Sequence, residues 1–274
     1  MSVALNLHVP WHARGRGYKL AGMSEHASSN GIAEWMQTPL AEYLLEREQT
    51  YFDSVVADIF GYNAFQLGMP EIDFLRASRI ALRCRLGTHG PVELRTDFRD
   101  LPIASNSADL VLLPHVLEFA EHPHQILREV GRVLMPEAHV LISGFNPFSF
   151  WGWRRRFHRG NDYPWRGRFI TLMRVKDWLA LLGFEIVGGQ MACYAPPSKQ
   201  EKWLERFKFM EAAGDRWWPI AGGVYFLQAV KRVRGVRLIM PKWSDRLAPR
   251  KQLAASPQKI GDKDNALAAR TREK

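Results

Sequence analysis

The chain has 274 residues, 46% of them apolar and 24% charged, with a formal net charge of +10. That composition supplies a sizeable core, and no stretch approaches the roughly 20 apolar residues needed to cross a bilayer as a helix. Thirteen Lys/Arg against four Asp/Glu fall between Lys231 and Lys274, so the excess charge belongs to a tail and a uniformly basic body is excluded.

Residues 1–34 carry Gly, Ser, His and Asn without periodicity and are expected to form a loosely ordered lead-in. They show no apolar segment of the secretory kind. Cys84 and Cys193 each sit in an apolar, strand-like run, which favours buried thiols in a reducing cytoplasm over a disulfide. A helix is then predicted from Thr38 (cap) and Pro39 (first position) through Leu40, Leu44, Phe52, Val55, Val56 and Ile59, with Gly61 ending it.

Strand candidates follow at 63–68, 79–85 and 92–96, and more clearly at Asp109 to Leu113 and His139 to Ser143. Between the last two, Pro123 opens a helix with Ile126, Leu127, Val130, Val133 and Leu134 on one face. Val175, Trp178, Leu179 and Leu182 mark another helix, closed by Gly183 and followed by a strand at 184–187. Ser198 to Glu201 reads as a capping box for a helix through Met210, and 224–230 is the last strand. Strands alternating with helices predict an α/β fold, a doubly wound and mostly parallel sheet covered on both faces. From Arg234 onward periodicity is lost, and 234–274 is expected to be a disordered basic tail on a 35–233 domain.

The segment from Asp97 to Pro147 is the most informative. It contains Asp97-Phe98-Arg99-Asp100-Leu101-Pro102, Ser107-Ala108-Asp109, Pro114-His115-Val116-Leu117-Glu118, and Arg128-Glu129 to Arg132-Val133-Leu134-Met135-Pro136. Over roughly residues 36–233 the chain resembles the class I S-adenosylmethionine-dependent methyltransferases of the type 11 branch. The resemblance implies a seven-stranded Rossmann-like sheet and a cofactor held by Gln66, Gly68, Asp97, Phe98, Pro114 and His115. Asp97 would accept from the adenine amino group, beside the main-chain N–H of Phe98. Pro114 and His115 would border the methionine end, where His115 is also the candidate catalytic base. A turn cap is the competing reading for Asp97, and a turn-shaping role for His115. Asp109, at the start of its strand, is read as structural.

Three features depart from the family pattern. The turn after the first strand, Phe65 to Glu71, keeps only Gly68 where glycines should let the backbone approach a ligand. The second strand is basic (Arg79, Arg83, Arg85) where an acidic residue should hold the ribose, with Glu71 or Asp73 as substitutes. Glu137-Ala138 replaces a Gly-Gly pair.

After Asn146-Pro147, the stretch from Trp151 to Arg168 forms an aromatic, cationic loop, from which Trp151, Trp153 and Arg154 are expected to meet a substrate. A solvated surface loop, or a contact with an anionic membrane, fits the same composition. The histidines lack paired ligand spacing, so no metal is expected. The expected function is methyl transfer from S-adenosylmethionine to a small-molecule or nucleic-acid acceptor. The alternative is a non-catalytic binding protein on the same fold, associating with nucleic acid through its basic loop and tail.

Overall fold

A computed structural model describes residues 32–233, apart from positions 33, 159, 161, 199, 208 and 219. The expected lead-in, save positions 32 and 34, and the whole basic tail lie outside the described residues.

Thr38 caps the first helix, its hydroxyl accepting from Ala41 N–H at 3.2 Å, and Pro39 occupies the first turn. Helix α1, Pro39–Val56, buries Leu40, Leu44, Phe52 and Val56, and also Glu48, a carboxylate in the apolar stripe. The helix ends before Gly61. That glycine instead admits the side chain of Asp109, because a Cβ there would lie 2.4 Å from Asp109 Cβ. Asp109 Oδ2 accepts from the N–H groups of Tyr62 and Asn63, so it fixes the entry into the first strand.

The strands are β1 (Asn63–Leu67), β2 (Leu82–Gly87), β3 (Leu94–Arg95), β4 (Ala108–Pro114), β5 (Leu134–Phe145), β6 (Phe184–Ala192) and β7 (Val224–Lys231). Their order is β3-β2-β1-β4-β5-β7-β6, parallel except for β7, which runs antiparallel to both neighbours. This is the expected doubly wound, mostly parallel seven-stranded sheet. The second strand starts later than its apolar run suggested. Residues 79–81 stay outside the ladder, and Ile80 N–H turns instead to Ser78 Oγ at 3.2 Å. The third strand shrinks to two residues.

Helix α2 (Pro123–Val133) precedes β5, and α4 (Leu172–Leu181) ends at Gly183, which adopts φ +83° as a helix stop requires. The segment read as a continuous helix through Met210 is two short ones, α5 (Glu201–Arg206) and α6 (Phe209–Trp217). The aromatic, cationic segment after β5 begins as a helix, not a loop. Ser149 Oγ accepts from Gly152 N–H and starts α3, Phe150–Phe157, a run without β-branched residues.

Alternate residues of the central strands serve opposite faces. Leu110, Leu112 and Leu141 join one core with Phe52 of α1, while Val111, Leu113, Val140 and Ile142 join the other with Ile126 and Val130 of α2. Complete burial on both faces explains why these strands read as unbroken apolar runs. The chain leaves β1 toward β2 and β3 on one side and resumes at β4 on the other. The switch in strand order therefore lies between the carboxyl ends of β1 and β4, the usual position of a ligand crevice.

Candidate functional site

A cavity of about 370 Å³ opens at that switch point, within the range of about 300–1,000 Å³ typical of ligand pockets. Gly68, Met69 and Glu71 form one wall; Thr88, His89, Asp97 and Phe98 another; Pro114, His115 and Val116 the floor; Phe119, Tyr163 and Arg166 close the far side.

The β1 turn is built tightly. Gly68 has φ +83°, and a Cβ on it would sit 2.8 Å from Val116 Cγ2, so only glycine lets the turns after β1 and β4 come this close. Gln66, fully buried, holds the turn from behind. Its amide donates to the carbonyls of Gly68, Met69 and Ile72 at 3.2, 3.1 and 2.8 Å and accepts from Phe74 N–H at 3.0 Å. Gln66 thus does not line the cavity, but Gly68, Asp97, Phe98, Pro114 and His115 all do.

Asp97 lies at the cavity edge, where its carboxylate pairs with Arg99 and accepts Arg99 N–H at 2.9 Å. The Arg99 hydrogen bonds outweigh partial burial and hold the carboxyl below its ordinary range. Both readings of this residue, turn cap and cavity carboxylate, are geometrically realised. Of the two substitutes for a ribose-binding acid, Glu71 lines the cavity, whereas Asp73 caps Leu75 N–H at 2.9 Å. Basic Arg85 bonds Glu93 and the Pro70 carbonyl, bracing the same turn. Glu137, where a glycine was expected, does adopt the left-handed φ of +65° that a glycine would favour.

His115 follows β4 directly at φ +51°, its ring stacked on Phe145 with centroids 4.0 Å apart. Nδ1 faces Glu118 Oε1 at 2.9 Å in a hydrogen bond. Nε2 faces Glu48 Oε1 at 2.7 Å, an ion pair by distance without hydrogen-bond alignment. All three side chains are buried. Burial by itself would lower the imidazole pKa, but the two carboxylates outweigh it and lift the value to about 10. Around neutrality both ring nitrogens therefore carry protons, and the ring has no lone pair with which to act as a free base.

Tyr163 lines the cavity as His115 does, stacked on Phe119 at 4.9 Å and edge-on to Trp35 at 4.7 Å. Among the described residues its hydroxyl has no hydrogen-bond partner, and neither does Trp35 Nε1. Burial, with the charges of Glu48 and Glu118 behind it, raises the Tyr163 phenol well above its ordinary pKa.

The three expected substrate contacts lie away from the cavity lining. Trp151 is buried, its indole donating to the Ala195 carbonyl at 3.1 Å; Arg154 donates to the Pro197 carbonyl; Trp153 is exposed. Glu48 has no place among the sequence expectations, and Tyr163 enters them only as part of the Trp151 to Arg168 stretch. The signal for Glu48 was present, a carboxylate four residues from both Leu44 and Phe52 on one helical stripe.

A methyltransferase-domain family model matches residues 72–142. The YafS protein of Escherichia coli K12 is 31% identical over 156 residues, 56% of this chain and 65% of YafS. The MJ1123 protein of Methanocaldococcus jannaschii is 28% identical over 105 residues, 38% of this chain and 51% of that protein. The chain thus spans less than two thirds of the length of these curated relatives. In three dimensions a SAM-dependent methyltransferase of Thermotoga maritima superposes with a TM-score of 0.56 at 14% identity, covering 75% of this chain and 97% of that one.

Proposed function

We propose that the cavity, set in a class I methyltransferase-like fold whose residues 72–142 match a methyltransferase-domain model, binds S-adenosylmethionine and serves methyl transfer to an acceptor entering beside Tyr163. The observation that carries this reading is the pairing of the tight Gly68 turn and the Asp97 carboxylate across one cavity. In this assignment Asp97 and Phe98 N–H hold the adenine, Glu71 the ribose, and the Gly68 backbone the amino-acid end.

The cluster behind the floor supports the same polarity. Glu48, His115 and Glu118 formally combine two carboxylates with one imidazolium, a net negative site suited to a cationic ligand group. Bound S-adenosylmethionine supplies an electrophilic methyl on a sulfonium, already a good leaving group. The protein's part is to position the acceptor and exclude water. His115 holds the two carboxylates and the turn after β4 in place, and the Tyr163 ring lines the cavity where the acceptor would enter.

Calorimetric titration with S-adenosylmethionine and S-adenosylhomocysteine tests the reading. Binding of both at micromolar concentration is expected. Absence of heat at millimolar ligand overturns it and favours the non-catalytic binding protein, a reading that the single glycine of the β1 turn also suits.

A further inference from the structure

Helix α3 is reversed relative to an ordinary surface helix. Two of its arginines fold back on the protein, Arg154 over the Trp165 ring at 5.4 Å and bonded to Pro197, Arg155 over Phe169 at 5.3 Å and bonded to the Gly167 carbonyl, while Arg156 is exposed. Apart from the buried Trp151, its large apolar side chains face solvent. Phe150, Trp153 and Phe157, spaced i, i+3 and i+7, are 49%, 65% and 67% exposed. The Trp153 and Phe157 rings meet edge-on at 5.0 Å.

The exposed strip extends beyond the helix. Phe148 just before it is 73% exposed, and Ile220 is 76% exposed. Asn146 ties the two together, its amide donating to the carbonyls of Ile220 and Gly222 at 2.8 and 2.9 Å and its Oδ1 accepting from Phe148 N–H. Isolated exposed aromatics need no explanation, but a cluster of this kind marks a contact surface. The exposed Arg156 lies beside these rings and the α3 sequence FWGWRRRF contains no acid, so a partner both apolar and anionic suits this face.

We propose that the outer face of α3, with Phe148 and Ile220, docks on the surface of an anionic lipid bilayer. A leaflet boundary meets both requirements: rings enter between headgroups and acyl chains, while the exposed Arg156 adds about 1 kcal/mol against the negative surface. Nucleic acid fits less well. Arg154 and Arg155 are already tied to main-chain carbonyls, so few guanidinium donors remain for phosphates, whereas the exposed phenyl rings and Ile220 are purely apolar.

The test is flotation of the full chain with vesicles of phosphatidylcholine, with and without phosphatidylglycerol, alongside a Trp153→Ser/Phe157→Ser variant. That variant leaves every charge in place, including those of the basic tail, and unchanged circular dichroism and melting confirm its fold. The full chain is expected to float with the anionic vesicles, and the variant to bind roughly tenfold more weakly for each ring removed. Equal binding by variant and parent overturns the proposal, since charge alone would then suffice. So does a parent chain that ignores vesicles, or a variant impaired only toward a single-stranded oligonucleotide.

Discussion

Glu118 Oε1 accepts the main-chain N–H of Phe145 at 2.7 Å while facing His115 Nδ1 at 2.9 Å, so one oxygen joins the end of β5 to the turn after β4. The β4 turn that lines the cavity and the neighbouring end of β5 are thereby fixed to one charged group. The consequences can be measured.

Stability should fall as pH rises from about 6.5 to about 10. The folded chain keeps the His115 proton up to about 10, whereas the unfolded chain releases it near 6.5. The unfolded state then binds fewer protons in that window, and the contribution, on the order of a few kcal/mol, is present below 6.5 and lost above 10. His139, held below its ordinary value by burial, acts in the opposite sense and mainly below 6.5. Melting curves across this range should show a clear decline for the parent chain and a flatter one for Glu48→Gln, which removes one of the two charges. Parallel curves would contradict the ion-pair assignment.

Gln66→Leu should destabilise the fold by about 1–3 kcal/mol, because Phe74 N–H and the carbonyls around the β1 turn lose their shared partner. Denaturant titration reads this directly. Since Gln66 positions the turn without touching the cavity, affinity for S-adenosylhomocysteine should weaken alongside.

Gly68→Ala places a methyl at φ +83° and within 2.8 Å of Val116 Cγ2. The left-handed conformation alone costs about 1–2 kcal/mol. The melting temperature should drop, and calorimetry should show cofactor binding reduced further than in a stability-matched core variant such as Val130→Ala.

Asp97→Ala should leave stability nearly unchanged, because the Asp97–Arg99 pair is about half exposed and such pairs contribute at most about 1 kcal/mol. Binding of S-adenosylhomocysteine should be abolished. Undiminished affinity would remove the adenine assignment while leaving the cavity itself intact.

The sheet was legible wherever burial is two-sided. The run from Asp109 to Leu113 could only be a central strand, and Asp97 and His115 were recognisable from their spacing to Leu101-Pro102 and Val116. Edge elements were less so: β3 is held by few partners, and β2 began later than its sequence suggested because Ser78 captures Ile80 N–H. Within the site, Gln66 was misread as a cavity residue because sequence cannot tell a side chain pointing at a ligand from one bracing the turn beneath it. Glu48 is not legible because it is remote from His115 in the chain, and within the Trp151 to Arg168 stretch only packing singles out Tyr163 and Arg166 as the residues that line the cavity. Trp151 shows the converse, an aromatic next to arginines that is simply core.

Glu48 sits on α1, upstream of the segment matched by the methyltransferase-domain model, while His115 and Glu118 lie inside it. The electrostatically complete unit is therefore longer than the recognisable one. A fragment cut at the matched boundary would keep Asp97, Phe98, Pro114 and His115 but lose the Gly68 turn, and would leave an imidazolium facing a single carboxylate, with the net negative charge behind the cavity floor cancelled. Sequence boundaries drawn from motif similarity would pass through the middle of this charge cluster.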